Sequence, residues 1–183
     1  MKKNFLTIIS CLLIIQAINA QKYFTKNGHV SFFSKTNAED IKATNDQVIS
    51  VLNTTTGELQ FSILIKSFHF EKALMEEHFN ENYLESEKYP KSNFKGSITN
   101  ISSVNFNKDG TYNVTVTGDL TLHGITQKIT TNGKILISDG KPTAVAKFII
   151  KLADYKIDVP KLVKDKISEL QEIAITCVYN QKM

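Results

Sequence analysis

The sequence predicts a mainly β fold, an antiparallel barrel of about eight strands with one helical insertion at about residues 71–86. Three observations support this. Apolar and polar residues alternate along most of the chain, short glycine-containing turns separate the alternating runs, and a single segment has helical periodicity. Eight antiparallel strands can close into a barrel that is just wide enough to hold one small ligand.

The beginning of the chain has the features of a targeting segment. A positively charged start is followed by the apolar run 5–15 and by small residues up to Ala20. This order is typical of a secretory signal peptide. We therefore expect a signal peptide at 1–20, a domain at 21–183, and a periplasmic or secreted location. The rival interpretations are an uncleaved anchor and lipidation of Cys11, which the apolar residues that follow it disfavour.

The composition argues against nucleic-acid binding. Every basic residue is a lysine, whereas arginine is the side chain best suited to bidentate contacts with phosphates and bases. Without Lys2 and Lys3 the formal charge falls from +4 to +2, and the remaining lysines are spread along the chain. Cys177 is then the single cysteine, so no internal disulfide can form and a small buried core residue is expected.

The alternating runs define the predicted strands. They cover 29–34, 47–52, 58–65, 94–106, 111–122, 125–137, 142–152 and 169–180. Turns at 107–110, 123–124 and 138–141 join consecutive runs, and tight turns of this kind are typical of antiparallel hairpins. Four of the long strands should therefore form a meander.

The helical segment has an apolar stripe and an acidic face. Phe70, Leu74, Met75, His78 and Phe79 recur at helical spacing. The pattern predicts one helix or two short ones, and the following proline at position 90 should end the segment. An amphipathic helix inserted between strands needs an apolar partner, so we expect it at an open end or on a flank of the barrel.

Two stretches of the chain resemble the YceI family of exported lipid-binding proteins. The first runs from Ser67 to Gly96 and includes Lys88-Tyr89-Pro90, and the second is Gly-Asp-Leu-Thr-Leu-His-Gly-Ile-Thr-Gln at 118–127. A weaker match lies at 153–157, where the family often has a glycine in place of Lys156. The resemblance extends over essentially the whole of 21–183.

The resemblance implies a lipocalin-like barrel whose elongated tunnel holds a polyisoprenoid or a similar amphiphile. It implies a carrier or binding protein, no catalytic residues, and no cofactor other than the bound lipid. The side chains expected to line the lipid are Phe61, Ile63, Ile65, Leu74, His78, Phe79, Phe94, Val116, Leu120, Leu122, Phe148, Ile150, Ile173 and Ile175. We expect no nucleic-acid partner and no stable membrane insertion, and the sequence leaves a homodimer open.

Metal binding and catalysis have little support in the sequence. None of the histidines 29, 69, 78 and 123 has the spacing of a zinc site, and no nucleophile or phosphate-binding motif is present. His78 lies near the apolar stripe and could place one polar donor beside a lipid head group.

Three alternatives remain open on the pattern alone. A solid-core interaction barrel would have the same alternation, since inward Val, Ile, Leu and Phe fill any small barrel. An enzyme or accessory protein of isoprenoid metabolism would need a polar cluster in the tunnel. An outer-membrane barrel would turn its apolar face outward, but the chain has no tryptophan girdle.

Overall fold

Residues 22–183 form ten β-strands and one short α-helix in a computed structural model. The predicted signal peptide lies outside these described residues. The elements are β1 (Lys22–Lys35), β2 (Asp40–Asn53), β3 (Glu58–Leu64), β4 (His69–Phe70), α1 (Ala73–His78), β5 (Lys91–Ile98), β6 (Gly110–Leu122), β7 (Ile125–Ser138), β8 (Lys141–Lys151), β9 (Leu170–Val178) and β10 (Gln181–Lys182).

Eight of these strands close into an antiparallel barrel, which confirms the predicted fold class. Each long strand pairs with its neighbours in the order β1-β9-β8-β7-β6-β5-β3-β2, and β1 pairs with β2 to complete the ring. The two-residue strands β4 and β10 add short pairings to β2 and β1. A closed ring leaves no long unpaired sheet edge.

The connections alternate between the two ends of the barrel. The β1–β2 turn, the segment 65–90 with α1, the β6–β7 turn and the segment 152–169 share one end, which we call the helical end. The β2–β3, β5–β6 and β7–β8 turns lie at the opposite end, the turn end. The helix therefore lies at an end of the barrel, which is one of the two positions that the sequence predicts.

Strands β1 and β2 are much longer than the alternation predicts. Their pairing shifts register twice, between Thr25 and Gly28 and between Gly28 and Val30. The first shift adds a residue to β1 and the second adds one to β2. Each strand therefore changes the face of its side chains once, so one period-two pattern cannot cover either strand. Gly28 is required there because a Cβ atom would lie 2.4 Å from the Cys177 sulfur.

The strand predicted at 94–106 instead spans Lys91–Ile98. The Asn100 side chain ends the pairing. Its Oδ1 accepts a hydrogen bond from the Thr115 backbone NH at 2.9 Å, and its Nδ2 donates to the Asn113 carbonyl at 3.1 Å. The side chain thus takes backbone partners on β6 that a continuing strand would use, and a 3₁₀ turn at Ile101–Ser103 follows.

The helical insertion is shorter than 71–86. Helix α1 ends at His78 and continues as a π-helical turn over Phe79–Tyr83, closed by the Leu84 NH to Phe79 carbonyl bond of 2.9 Å. Glu85 follows with a left-handed φ of 42°, which ends helical geometry before the predicted limit at residue 86.

The turn end of the β1–β2–β9 wall is tightly packed. Val48, Leu52, Cys177 and Tyr179 have no solvent exposure, and Tyr179 shares a 2.7 Å hydrogen bond with Ser50. Cys177 is therefore the buried core residue that the sequence predicts.

Candidate ligand-binding cavity

The barrel encloses an apolar cavity of about 320 Å³. Its walls come from the inward-facing side chains of the eight long strands, because residues two apart on a strand share a face. Side chains from the 65–90 segment and from the 152–169 segment also border it, so the helical end takes part in closing the cavity. The barrel is therefore not packed solid with its own side chains.

Nearly all the predicted lining residues border this cavity. They are Phe61, Ile63, Ile65, His78, Phe79, Phe94, Val116, Leu120, Leu122, Phe148, Ile150, Ile173 and Ile175. These positions fix the geometry of the wall, and their contact with a lipid remains a proposal. The alternation in the sequence predicted those that lie in strands, and helical spacing predicted His78 and Phe79. Ile65 follows β3 directly, as the first residue of a 3₁₀ turn.

Leu74 is set apart from the other predicted lining residues. It does not border the cavity, and its side chain is 61% exposed on α1. The predicted stripe treated Phe70 and Leu74 as one helical face, but Phe70 belongs to β4 and the helix begins only at Ala73. The inner side of the helix is consequently formed by Met75 with His78 and Phe79.

Four phenylalanine rings anchor the helical insertion to the barrel. Phe79 lies 5.5 Å from Phe32 of β1, 5.4 Å from Phe68 and 5.0 Å from Phe70, measured between ring centroids. Such tilted and stacked pairs stabilise beyond the area that they bury. Sequence reasoning missed Phe32 and Phe68 as lining residues, although Phe32 alternates with Val30 and Ser34 in a predicted strand.

The buried polar groups that border the cavity lie mainly at its helical end. Gln171 is 5% exposed, and its Nε2 donates to the Ser168 carbonyl at 2.5 Å. That bond fixes the amide orientation and leaves Oε1 without a partner among residues 22–183. Ser34 accepts a bond from the Ser168 NH at 2.9 Å. The cavity thus offers an apolar body with polar groups near one end.

Histidines 29, 69 and 123 contact carboxylates or backbone groups. His29 lies 2.6 Å from Asp46 and His69 lies 3.7 Å from Glu76. His78, in contrast, is exposed on its helix while bordering the cavity. Within 22–183, no cluster of His, Cys, Asp and Glu could hold a metal ion, and no helix there is long and apolar enough to cross a bilayer.

The three stretches that carry the family resemblance meet at one junction of the helical end. The His123 Nε2 lies 2.8 Å from Glu85 of the first stretch, and its Nδ1 lies 3.1 Å from the Tyr155 carbonyl of the third. The Tyr89 ring packs edge-on to His123 at 4.7 Å. Gly124 makes room for Tyr89, since a Cβ there would lie 2.5 Å from the ring. The motif residues therefore tie the insertion to the barrel.

Solved structures share this fold. A polyisoprenoid-binding domain from Saccharophagus degradans, implicated in plant cell wall breakdown, aligns with a TM-score of 0.75 at 17% identity, covering 87% of this chain and 97% of that one. BcnA of Burkholderia cenocepacia aligns with a TM-score of 0.69 at 16% identity, covering 84% and 96%.

Comparison of sequences identifies the family of this chain, whereas the solved structures show only the shared fold. None of the curated proteins matches this chain. The family model that describes the YceI-like domain, however, matches residues 18–178, which is most of the sequence and includes all eight strands of the barrel. The chain belongs to the YceI-like family.

Proposed function

We propose that this protein is an exported, non-enzymatic carrier or binding protein for a long-chain apolar lipid, a polyisoprenoid or a similar amphiphile. The observation that carries the proposal is the almost wholly apolar cavity, which has its buried polar groups near one end. That distribution matches an amphiphile with a long tail and a small polar head. The likeness to a domain that binds polyisoprenoids supports the same ligand class.

The tail would supply most of the binding free energy. Each buried methylene contributes about 0.8 kcal/mol, so a tail with ten buried carbons gains about 8 kcal/mol before the costs of ordering. The head would lie toward the helical end, near Gln171 and Ser34. There the Gln171 Oε1, which has no partner among residues 22–183, is the acceptor for a donor on the head group.

Export is the second part of the proposal. It rests on the charged, apolar and small-residue order of 1–20. A lipid with a long tail hardly dissolves in water, so its passage through an aqueous extracytoplasmic compartment needs a carrier with an apolar lining. After expression of the full chain, mass spectrometry of the exported protein should find Gln21 at its N-terminus. A start at a lipid-modified Cys11 would instead place the protein on a membrane surface.

Lipid binding is tested on the gently purified protein. Native mass spectrometry and organic extraction should reveal a bound long-chain lipid, and titration with polyisoprenoids and fatty acids should saturate. If neither extraction nor titration shows binding, the carrier proposal fails and an interaction barrel without a lipid ligand is favoured.

A matched pair of variants locates the binding site. Leu120 is buried and borders the cavity, whereas the neighbouring Thr121 bonds to Thr126 on the outside of the barrel. Leu120→Asp should abolish binding or folding because an unpaired carboxylate is costly in an apolar cavity, and Thr121→Asp should be mild. Ala146→Phe fills cavity space without adding a charge, so it should reduce binding while the barrel stays folded.

A further inference from the structure

Leu162 is the most exposed large apolar side chain in the described part of the protein, at 93%. It lies in a 3₁₀ turn, Lys161–Val163, within the long connection between β8 and β9. Single exposed leucines are common on protein surfaces. Leu162 is unusual because other residues of the same loop border the cavity.

The same loop forms part of the cavity wall. Val163, Lys166 and Ile167 border the cavity, and the next residue, Ser168, is bonded to Ser34 on β1. One face of the 161–167 loop therefore touches the ligand space while Leu162 points into solvent. A displacement of this loop would therefore open the cavity to solvent next to Leu162.

Other exposed apolar side chains lie at this end of the barrel. Ile149 is 63% exposed and Leu170 is 53% exposed, and both lie on the outer face where β8 and β9 reach the loop. Together with Leu162 they place three exposed apolar side chains beside the loop. Exposed apolar surface of this kind indicates an interaction site.

The charge of the loop indicates what it contacts. Lys161, Lys164 and Lys166 outweigh Asp165. Lys164 lies 3.4 Å from Glu169, while neither Lys161 nor Lys166 has an ion-pair partner among residues 22–183. Lysines beside an exposed leucine suit the anionic surface of a bilayer, where the cation stays among head groups and the apolar residue inserts. The acidic helix α1 occupies another part of the same end.

We propose that the 161–167 loop docks the barrel on an anionic lipid bilayer, with Leu162 inserted among the head groups, so that lipid enters and leaves beside it. The proposal rests on the proposed lipid-carrier function, since it assigns the place where that carrier exchanges its ligand.

Vesicle co-sedimentation tests the docking. The protein that accumulates after expression of the full chain, with its N-terminus defined by mass spectrometry, is mixed with phosphatidylethanolamine–phosphatidylglycerol vesicles. Leu162→Asp should reduce the bound fraction about fivefold or more because a carboxylate resists insertion and is repelled by the anionic surface. Leu162→Phe should keep binding, and Lys161→Glu should weaken it on these vesicles but little on pure phosphatidylcholine.

The control is Val178→Asp. Val178 is 49% exposed on the other end of β9, so this variant adds the same charge far from the loop and should bind like the unmodified protein. The rate of lipid transfer to vesicles should fall in Leu162→Asp and stay unchanged in Val178→Asp. Equal vesicle binding by Leu162→Asp and the unmodified protein would overturn the proposal.

Two further measurements separate the outcomes. Titration with a lipid probe in vesicle-free buffer should give the same affinity for Leu162→Asp and the unmodified protein. If no form binds the probe while the vesicle results hold, the carrier function fails and the docking surface stands. Sedimentation velocity that reveals self-association dependent on Leu162 would overturn docking in favour of an interface between two copies of the chain.

Discussion

The His123 imidazole lies 2.8 Å from the Glu85 carboxylate, and the two residues join the β6–β7 turn to the helical insertion. Both have left-handed backbone conformations, with φ of 50° and 42°. The other His123 nitrogen faces the Tyr155 carbonyl, which can only accept a hydrogen bond. His123 thus has a contact at each of its ring nitrogens, one to the insertion and one to the segment that follows β8.

Removing this contact should loosen the insertion locally. Glu85→Ala should lower the free energy of unfolding by about 1 kcal/mol, since a charge-assisted bond contributes about 1.5–3 kcal/mol and part of that is lost to solvent screening. The Glu85 side chain is indeed 44% exposed. Amide hydrogen exchange should accelerate over residues 84–89, and lipid dissociation should become faster.

Glu87→Ala is the matched control. Glu87 pairs with Lys66 in the same segment, but its side chain is 89% exposed. Exposed pairs of this kind contribute little, so exchange and stability should stay close to those of the unmodified protein. Equal effects of the two variants would show that the junction at His123 has no special role.

The helical insertion offers a second comparison, between Phe79 and Leu74. Phe79 is buried in the cluster of four phenylalanine rings, whereas Leu74 is exposed. Phe79→Ser should therefore lower the free energy of unfolding by about 3 kcal/mol or more, by analogy with large-to-small core substitutions. It should also raise the lipid off-rate, because lost contacts in a bound state act mainly on dissociation.

Leu74→Ser should leave both quantities nearly unchanged. Urea unfolding and stopped-flow lipid release measure the two effects. Lost stability with an unchanged off-rate in Phe79→Ser would mean that the insertion is scaffold and that the lipid leaves elsewhere.

The strands and the cavity wall could be predicted because they depend on local alternation. Phe61 and Ile63, or Ile173 and Ile175, lie in regular strand segments where a two-residue period reports the inner face. The limits of β1 could not be predicted in this way because the bulges at Gly28 depend on the partner strand β2. The direction of the Leu74 side chain depends on where α1 begins, which the apolar spacing alone does not determine.

The junction at His123 illustrates a second limit. The sequence predicts a turn at His123-Gly124. The residues that His123 contacts, Glu85 and Tyr155, lie 38 and 32 residues away in the sequence. Contacts of such separation depend on the closed barrel. The resemblance marked all three stretches without indicating that they touch each other.

Lys156 has a left-handed backbone, with φ of 54°, at the position where the family often has glycine. A left-handed conformation costs an L-residue about 1–2 kcal/mol, while glycine adopts it freely but has more unfolded-state entropy to lose, about 0.5–1 kcal/mol. Lys156→Gly should therefore raise the free energy of unfolding by about 0.5 kcal/mol. Urea denaturation measures the change.

Lys156→Val provides the opposite test at the same position. A β-branched residue is strongly disfavoured at positive φ, so this variant should lose about 1 kcal/mol or more. The Lys156 side chain is exposed, so packing should not mask the backbone effect. If the glycine variant is less stable than the unmodified protein, the left-handed turn carries no strain.

Cys177 should make the protein less stable at alkaline pH. Burial raises the pKa of its thiol from an ordinary value of 9.0 to about 12, although a hydrogen bond with Ser50 acts in the opposite direction. Between these two values the unfolded chain releases the proton and the folded chain retains it. Unfolding is then favoured as the pH rises, by about 1.4 kcal/mol per pH unit for one group.

Tyr179 adds to this decline at higher pH, because burial also places the pKa of its phenol far above the usual 10.0. Urea unfolding should show constant stability up to about pH 8, a decline above about pH 9, and a steeper one above about pH 10. Cys177→Ala removes the thiol, so its decline should begin only near the ionisation of tyrosine. The comparison concerns the shape of the profile, since the smaller side chain lowers stability at every pH. Profiles of identical shape for the two proteins would mean that the Cys177 thiol is not protected from ionisation by the fold.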